Sequence, residues 1–333
     1  MRRAMLADMI ERLLERHLDD AAQARARCGE WLPELWAEIE EMGLPLALLS
    51  EDQGGFGLDA ADQGEALRLL GARAVPLPVA ETMGANRLLA AAGLPLAEGP
   101  AGLARADDLK LEGGRLTGTV ARVAWGGQLD CLALAMGDTL YRIPRSAWTV
   151  GNGGLALNFQ PRPDLIIDWD ADASAPLPHC PLAEGATLRA FQIAGALDAA
   201  LDLTLEHTGT RVQFGKPLSK FQAVQHELAK MAGEVACATA AADLAAEALS
   251  RGDVLGVAAG TLRAREAAGT GASIATQMHG AIGFTREHRL HLYTTALWTW
   301  RDDFGGSVMW SKLLGKAALE AGGAGYWPMV TAL

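Results

Sequence analysis

Two short segments carry residue types suited to holding a charged, planar ligand. Thr210-Arg211-Val212-Gln213-Phe214-Gly215-Lys216-Pro217 sets an arginine, an amide and an aromatic ring on one tight turn. The planar donor fork of arginine matches phosphate or carboxylate oxygens two at a time, which a lysine cannot do. The second segment, Gln277-Met278-His279-Gly280-Ala281-Ile282-Gly283-Phe284-Thr285, places small residues beside an amide and an imidazole. Glycines there let backbone approach a ligand closely. Each segment alone also reads as an ordinary feature, a turn with a solvated Arg211 and a helix end capped at Gly280. Together they are far more specific. His288 and His291 stand three apart, but no cysteine or carboxylate accompanies them at ligand spacing, so no metal site is expected. The chain has neither Gly-x-Gly-x-x-Gly nor Gly-x-Ser-x-Gly, so it shows no dinucleotide fingerprint and no hydrolase elbow.

The elements that must position these residues fall into three zones: 1–105 helical, 106–182 a small β domain, and 183–333 a helical bundle. In the first, Leu6, Met9, Ile10, Leu13, Leu14 and Leu18 recur at helical steps, as do Leu32, Leu35, Trp36, Ile39 and Met42 before Gly43. Further helices are predicted over 61–70 and 81–92. The middle zone has about six short strands by its alternation and its Gly and Pro punctuation, including 131–135, 139–143 and 165–168. In the third zone Ser219-Lys220-Phe221-Gln222 reads as a capping box. It opens a helix whose seam is Phe221, Val224, Leu228, Met231 and Val235. Helices over 255–278 and 307–321 follow. Trp298, Trp300 and Trp310 are expected in the bundle core or at a subunit interface.

Composition narrows the function classes. Half of the 333 residues are hydrophobic, and 40 acidic against 29 basic side chains leave a formal charge of −11. A nucleic-acid partner needs a basic face, and none is present in the pattern. No apolar run approaches the length of a membrane span, and the four scattered cysteines lack zinc spacing. A cytoplasmic protein with reduced thiols is expected.

Arg211-x-Gln213-Phe214-Gly215-x-Pro217, then Phe221-Gln222-x-Val224-Gln225-His226-x-Leu228-Ala229, then Gln277-x-His279-Gly280-x-Ile282-Gly283-Phe284-Thr285-x-Glu287-His288 resembles the acyl-CoA dehydrogenase family in order and separation. Met42-Gly43-Leu44-Pro45 and Ser50-Glu51-Asp52-Gln53-Gly54-Gly55-Phe56-Gly57 resemble its first helical domain. The resemblance implies a mainly α fold: an N-terminal helical domain, a reduced middle β domain and a C-terminal four-helix bundle. It also implies FAD-dependent α,β-dehydrogenation of an acyl-CoA thioester. In that reaction a carboxylate removes the α-proton and the β-hydride goes to flavin N5. Arg211 would meet the FAD diphosphate, Gln213, Phe214 and Gln222 the adenosine side, with Gln277 and Gly280 closing over them. Gln222 competes between that role and the capping box. The implied partners are a homodimer or homotetramer, or a heteromer with a second dehydrogenase subunit, together with an electron-transfer flavoprotein.

The sequence departs from the family at two places. The usual base is a Glu before a Gly, twenty-seven residues past the motif glutamine. Phe304 holds that slot, followed by Gly305 and preceded by Asp303. A second slot used by some members falls on Gly185, beside Glu184. Asp303 and Glu184 are therefore the candidate carboxylates, each also readable as an ordinary loop or helix-end charge. The middle-domain Thr-Glu-Pro-x-x-Gly-Ser segment has no counterpart. The nearest stretch, Val123-Ala124-Trp125-Gly126-Gly127, offers a tryptophan either to a flavin or to the β core. These departures leave a second reading, a non-catalytic subunit or scaffold on the same fold that completes the FAD site of a partner chain.

Overall fold

The structure, a computed structural model, describes residues 2–331. The chain forms two compact units. One runs up to Gln63 and includes Pro76–Leu188; the other joins Gly64–Val75 to the chain from Arg189 on.

In the first unit, α1 (Arg2–His17) buries Leu6, Ile10, Leu13 and Leu14, with Leu18 just beyond its end. Met9, on the same predicted seam, is 44% exposed. The short α2 (Asp20–Ala26) starts where the Asp19 carboxylate accepts the Ala22 N–H at 2.8 Å. Pro33 opens α3 (Pro33–Glu41), a position that needs no N–H donor, and Leu35, Trp36 and Ile39 form its buried stripe. After α4 (Ala60–Ala72) and the almost wholly buried α5 (Val79–Ala91) the chain turns to strands.

The β region has eight strands, more than the six short runs of the sequence pattern. They are β1 (Ala101–Arg105), β2 (Lys110–Glu112), β3 (Arg115–Val120), β4 (Cys131–Met136), β5 (Thr139–Pro144), β6 (Trp148–Leu155), β7 (Pro161–Asp170) and β8 (Ser174–Pro176). They make two four-stranded sheets, ordered β1-β4-β5-β8 and β2-β3-β7-β6. Only the β1–β4 pairing is parallel. Strand β4, Cys-Leu-Ala-Leu-Ala, is buried on both faces, as a continuous apolar run requires. Trp125 is core: it is fully buried, with its ring edge-on to Trp31 at 5.3 Å.

The C-terminal helices are α6 (Pro181–Thr210), α7 (Gln222–Ser250), α8 (Val254–His279), the short α9 (Leu290–Trp300), and α10 (Gly306–Thr331), which breaks at Gly322. A two-strand hairpin, β9 (Val212–Gln213) with β10 (Lys216–Pro217), joins α6 to α7. Trp300 and Trp310 are buried and Trp298 partly so. The predicted capping box does not form. Helix α7 begins at Gln222 with Phe221 as its uncapped N-cap residue, and Ser219 lies in a 3-10 turn, Leu218–Lys220. Phe221 is extended (φ −93°, ψ 129°) and holds the N-cap position, so Ser219 is two residues too early to reach the first free N–H groups. Along α7 the buried stripe passes from Leu228 and Met231 to Ala238, Ala241, Ala242 and Ala245, where α8 packs close against it.

Close backbone approach in the second unit depends on glycines, most tightly at two positions. A Cβ on Gly195 would lie 1.9 Å from the Arg68 carbonyl oxygen, and one on Gly71 would lie 2.1 Å from that of Gln192. Backbone cannot yield as a side-chain tip can, so Gly195→Ala is expected to cost at least about 3 kcal/mol, the upper end for overpacking. Urea unfolding checks this: the midpoint should fall with an unchanged slope, and an unmoved midpoint would refute the contact. No helix among the described residues is long and apolar enough to cross a membrane.

Candidate functional site

The hairpin after α6 and the end of α8 bound one cavity of about 510 Å³, within the usual range of small-molecule sites. The β9–β10 register pairs Gln213 with Lys216, so Phe214 and Gly215 form a two-residue loop. Both have positive φ, 52° and 80°, the requirement of a tight hairpin turn that matches strand twist. Glycine accepts this conformation freely, whereas a phenylalanine in it is strained. Phe214 is held there 91% exposed, its ring edge-on to Phe221 at 6.3 Å. On the opposite side α8 stops because Gly280 turns to φ 66° and ψ −143°, leading into a 3-10 turn, Gly280–Phe284.

Arg211, Gln213, Gln277 and Gly280 all line this cavity. Arg211 has no carboxylate partner among the described residues, and it, Gln213 and Gln277 are exposed. A cation and two amides with uncommitted polar groups suit a ligand that is anionic and rich in acceptors. Phe214 stands on the rim turn and does not line the cavity; Gln222 is exposed at the first residue of α7, also outside the lining.

Three histidines meet at the same place. His207 lies one turn before Arg211 on α6; its ring stacks on that of His279 at 4.4 Å, and His288 stands 4.6 Å from His279. The His279 Nδ1–H donates to the Ala275 carbonyl at 2.8 Å, while its Nε2 is buried with no hydrogen-bond partner. Burial, with the neighbouring His207 and His288, takes His279 down to about 4 against the partial support of backbone carbonyls. His207 is lowered too, by burial and then by His288 and Arg211. Both are therefore neutral at pH 7. The pairing of His288 with His291 considered from the sequence is not the one formed: His291 turns its Nδ1–H back to the His288 carbonyl at 2.7 Å. No local spacing in the sequence signals this cluster, whose members are up to eighty-one residues apart.

Both candidate carboxylates sit in ion pairs. Glu184, fully buried in the first turns of α6, takes Arg87 Nη2 at 2.6 Å on one oxygen and His179 Nε2 at 2.7 Å on the other. Burial alone raises its pKa, but Arg87 and His179 together outweigh that and hold it below the usual glutamate range. Asp303 accepts Arg189 Nε at 3.0 Å, and both side chains are buried. Arg265 donates to the backbone carbonyls of Arg301 and Asp303, and Trp310 Nε1–H to that of Phe304 at 3.0 Å. These bonds fix the turn in which Phe304 and Gly305 have φ 51° and 100°. The Arg189 guanidinium lies 5.7 Å from the Phe304 ring centre.

Residues 2–96 match the family model "Acyl-CoA dehydrogenase, N-terminal domain" and residues 179–299 match "Acyl-CoA dehydrogenase, C-terminal domain". Acyl-CoA dehydrogenase IpdE2 of Mycobacterium tuberculosis is 30% identical over 295 residues, 87% of this chain and 89% of its own length. Among solved structures, the ChsE4–ChsE5 complex from Mycobacterium tuberculosis superposes with a TM-score of 0.81 at 21% identity, covering 96% of this chain and 97% of that one. PigA with FAD and proline superposes at 0.82 and 16% identity, covering 95% and 97%. At those identities the two structures speak for the fold, an N-terminal helical domain, small β sheets and a C-terminal bundle. Nearly full-length sequence identity with IpdE2 and matches at both ends speak for descent as well: the chain belongs to the acyl-CoA dehydrogenase family of oxidoreductases.

Proposed function

We propose that this chain is an FAD-dependent acyl-CoA dehydrogenase subunit whose cavity between the hairpin and the end of α8 takes the cofactor's diphosphate and adenosine side. The observation that carries the reading is Arg211, without a carboxylate partner among the described residues, lining one cavity with Gln213 and, from the end of α8, Gln277. Arg211 supplies charge and two parallel donors to phosphate oxygens. Gln213 and Gln277 supply neutral donors, and Gly280 leaves the α8 side free of a side chain there. Phe214, strained and exposed, offers an aromatic face next to the diphosphate position, and Gln222 a further amide at the start of α7. FAD, when bound, supplies the hydride acceptor for Cα–Cβ oxidation. PigA is named with FAD and IpdE2 as an acyl-CoA dehydrogenase, which supports the cofactor and the thioester substrate.

In this reading Asp303 or Glu184 takes the α-proton, and a homodimer, homotetramer or heteromer completes the site, with an electron-transfer flavoprotein as the outer partner. One observation favours a second reading, in which a partner chain supplies the carboxylate. Both candidates are held in buried ion pairs, and the residue at the usual slot is Phe304. ChsE4–ChsE5 is named as a complex of two different chains, which supports the same alternative.

The test is the visible spectrum of the chain purified alone, followed by turnover with a panel of acyl-CoA thioesters. A yellow, active homomer supports the first reading. A species that gains flavin and turnover only with a second dehydrogenase-like chain supports the second, and absence of flavin in both preparations refutes both. Arg211→Gln should weaken FAD binding by about 1.5–3 kcal/mol, ten- to more than a hundred-fold, the worth of a hydrogen bond to a charged group. Fluorescence titration of released flavin measures it.

A further inference from the structure

We propose that His207, His279 and His288 form a binding site for a divalent transition-metal cation of the zinc class. Each offers a ring nitrogen, and these three atoms all lie within 4.8 Å of one another. His279 is the anchor. Its Nδ1–H is spent on the Ala275 carbonyl, which fixes the tautomer and leaves the lone pair on Nε2, buried and without a hydrogen-bond partner. Leaving a buried polar atom unpaired costs free energy. A ring held by a backbone carbonyl through one nitrogen and open at the other is also how metal-ligating histidines are oriented.

The chemistry of the donor set selects the ion. Three imidazoles without carboxylate or thiolate suit zinc, copper, nickel or cobalt and do not suit calcium or magnesium. The lowered pKa of His207 and His279 means that no proton has to be displaced from either near pH 7. His207 and His279 also line the cavity, so a fourth position faces open space, as in zinc sites that keep one for water or a ligand.

The cluster must close to bind. Ligand nitrogens at about 2.0–2.1 Å from a tetrahedral ion are about 3.3 Å apart, nearer than the outer limit of the present spread. The His207 and His279 rings are inclined by only 20°. An ion lies in the plane of each ring it binds, so one ring must turn; both line the cavity, and His207, half-buried where His279 is buried, has the more room to do so. His288 has the weakest claim, because its Nδ1 accepts the Leu290 N–H at 3.1 Å and that bond or the tautomer must change. Arg211, just past the end of α6 and one turn from His207, works against a second positive charge, but its side chain is exposed and screened by solvent. The proposal rests on these three side chains and not on the cofactor reading.

The experiment titrates cobalt(II) into the chelator-treated full chain, once free of FAD and once saturated with it, and follows the visible d–d bands. A saturable band at one equivalent is expected in the FAD-free chain, with zinc displacing it and raising Tm. His279→Gln should weaken binding by about a hundred-fold or more, His207→Ala by at least about ten-fold, and His288→Ala least, in line with the losses seen when metal sites are disturbed. Absence of a saturable band in the wild-type chain overturns the proposal without recourse to any variant. So does equal affinity in folded His207→Ala and His279→Gln chains, with folding checked by circular dichroism. Uptake of pyrophosphate by the cluster with no cobalt binding would also overturn it, as a protonated anion site.

Discussion

Asp303→Asn is expected to destabilise the chain by about 3–5 kcal/mol, the usual cost of removing one partner from a buried ion pair. The Asp303 carboxylate faces Arg189, and both side chains are almost wholly shielded from water. Arg265, buried in the same network, is pushed down to about 10 by burial, an effect that Asp303 partly offsets. Both buried guanidinium groups draw on this carboxylate, Arg265 on Asp302 as well, so its loss raises the cost of both. Urea denaturation measures the change. Replacing the pair together, Arg189→Met with Asp303→Leu, should recover much of the loss, since a packed apolar pair removes the desolvation cost. A double-mutant cycle isolates that coupling. If Asp303→Asn leaves the midpoint where it was while abolishing turnover, Asp303 acts on substrate and the structural assignment is wrong.

The fold was legible from the sequence wherever periodicity and punctuation agreed. The stripe Leu35-Trp36-Ile39 and the run from Val254 to His279 needed no tertiary knowledge to predict. The capping box failed because Ser-x-x-Gln describes a spacing only, and the backbone at Phe221 decided where α7 begins. The two sheets were under-counted because strands as short as β2 and β8 span three residues, too few for alternation to register. In the cavity, Arg211 and Gln277 are sixty-six residues apart. Motif resemblance suggested that they belong together, but no local rule could have done so. The histidine cluster was hidden for the same reason, since His207, His279 and His288 come from α6, the end of α8 and the loop before α9. The ion-paired state of Glu184 was likewise unreadable, because Arg87 comes from α5 and sits ninety-seven residues away.

That pair makes the second large prediction, and it separates a structural carboxylate from a proton-transfer base. Glu184→Gln should cost about 3 kcal/mol, near the low end for a buried pair because Arg87 is 27% exposed. The pH dependence carries the sharper information. A carboxyl whose folded pKa lies below its unfolded value binds fewer protons when folded. Its stabilising contribution is complete above the unfolded pKa and is lost as pH falls through the folded one. The Arg87 and His179 partners put Glu184 in this class, outweighing the burial that pulls the other way. Urea midpoints of wild type and Glu184→Gln should therefore differ by a constant amount from pH 8 down to the ordinary glutamate range, and converge only below it. Convergence already near pH 6 would mean a raised pKa, as a general base needs, and would return Glu184 to the chemistry. A gap that persists into acid keeps it as the anchor that ties the start of α6 to α5.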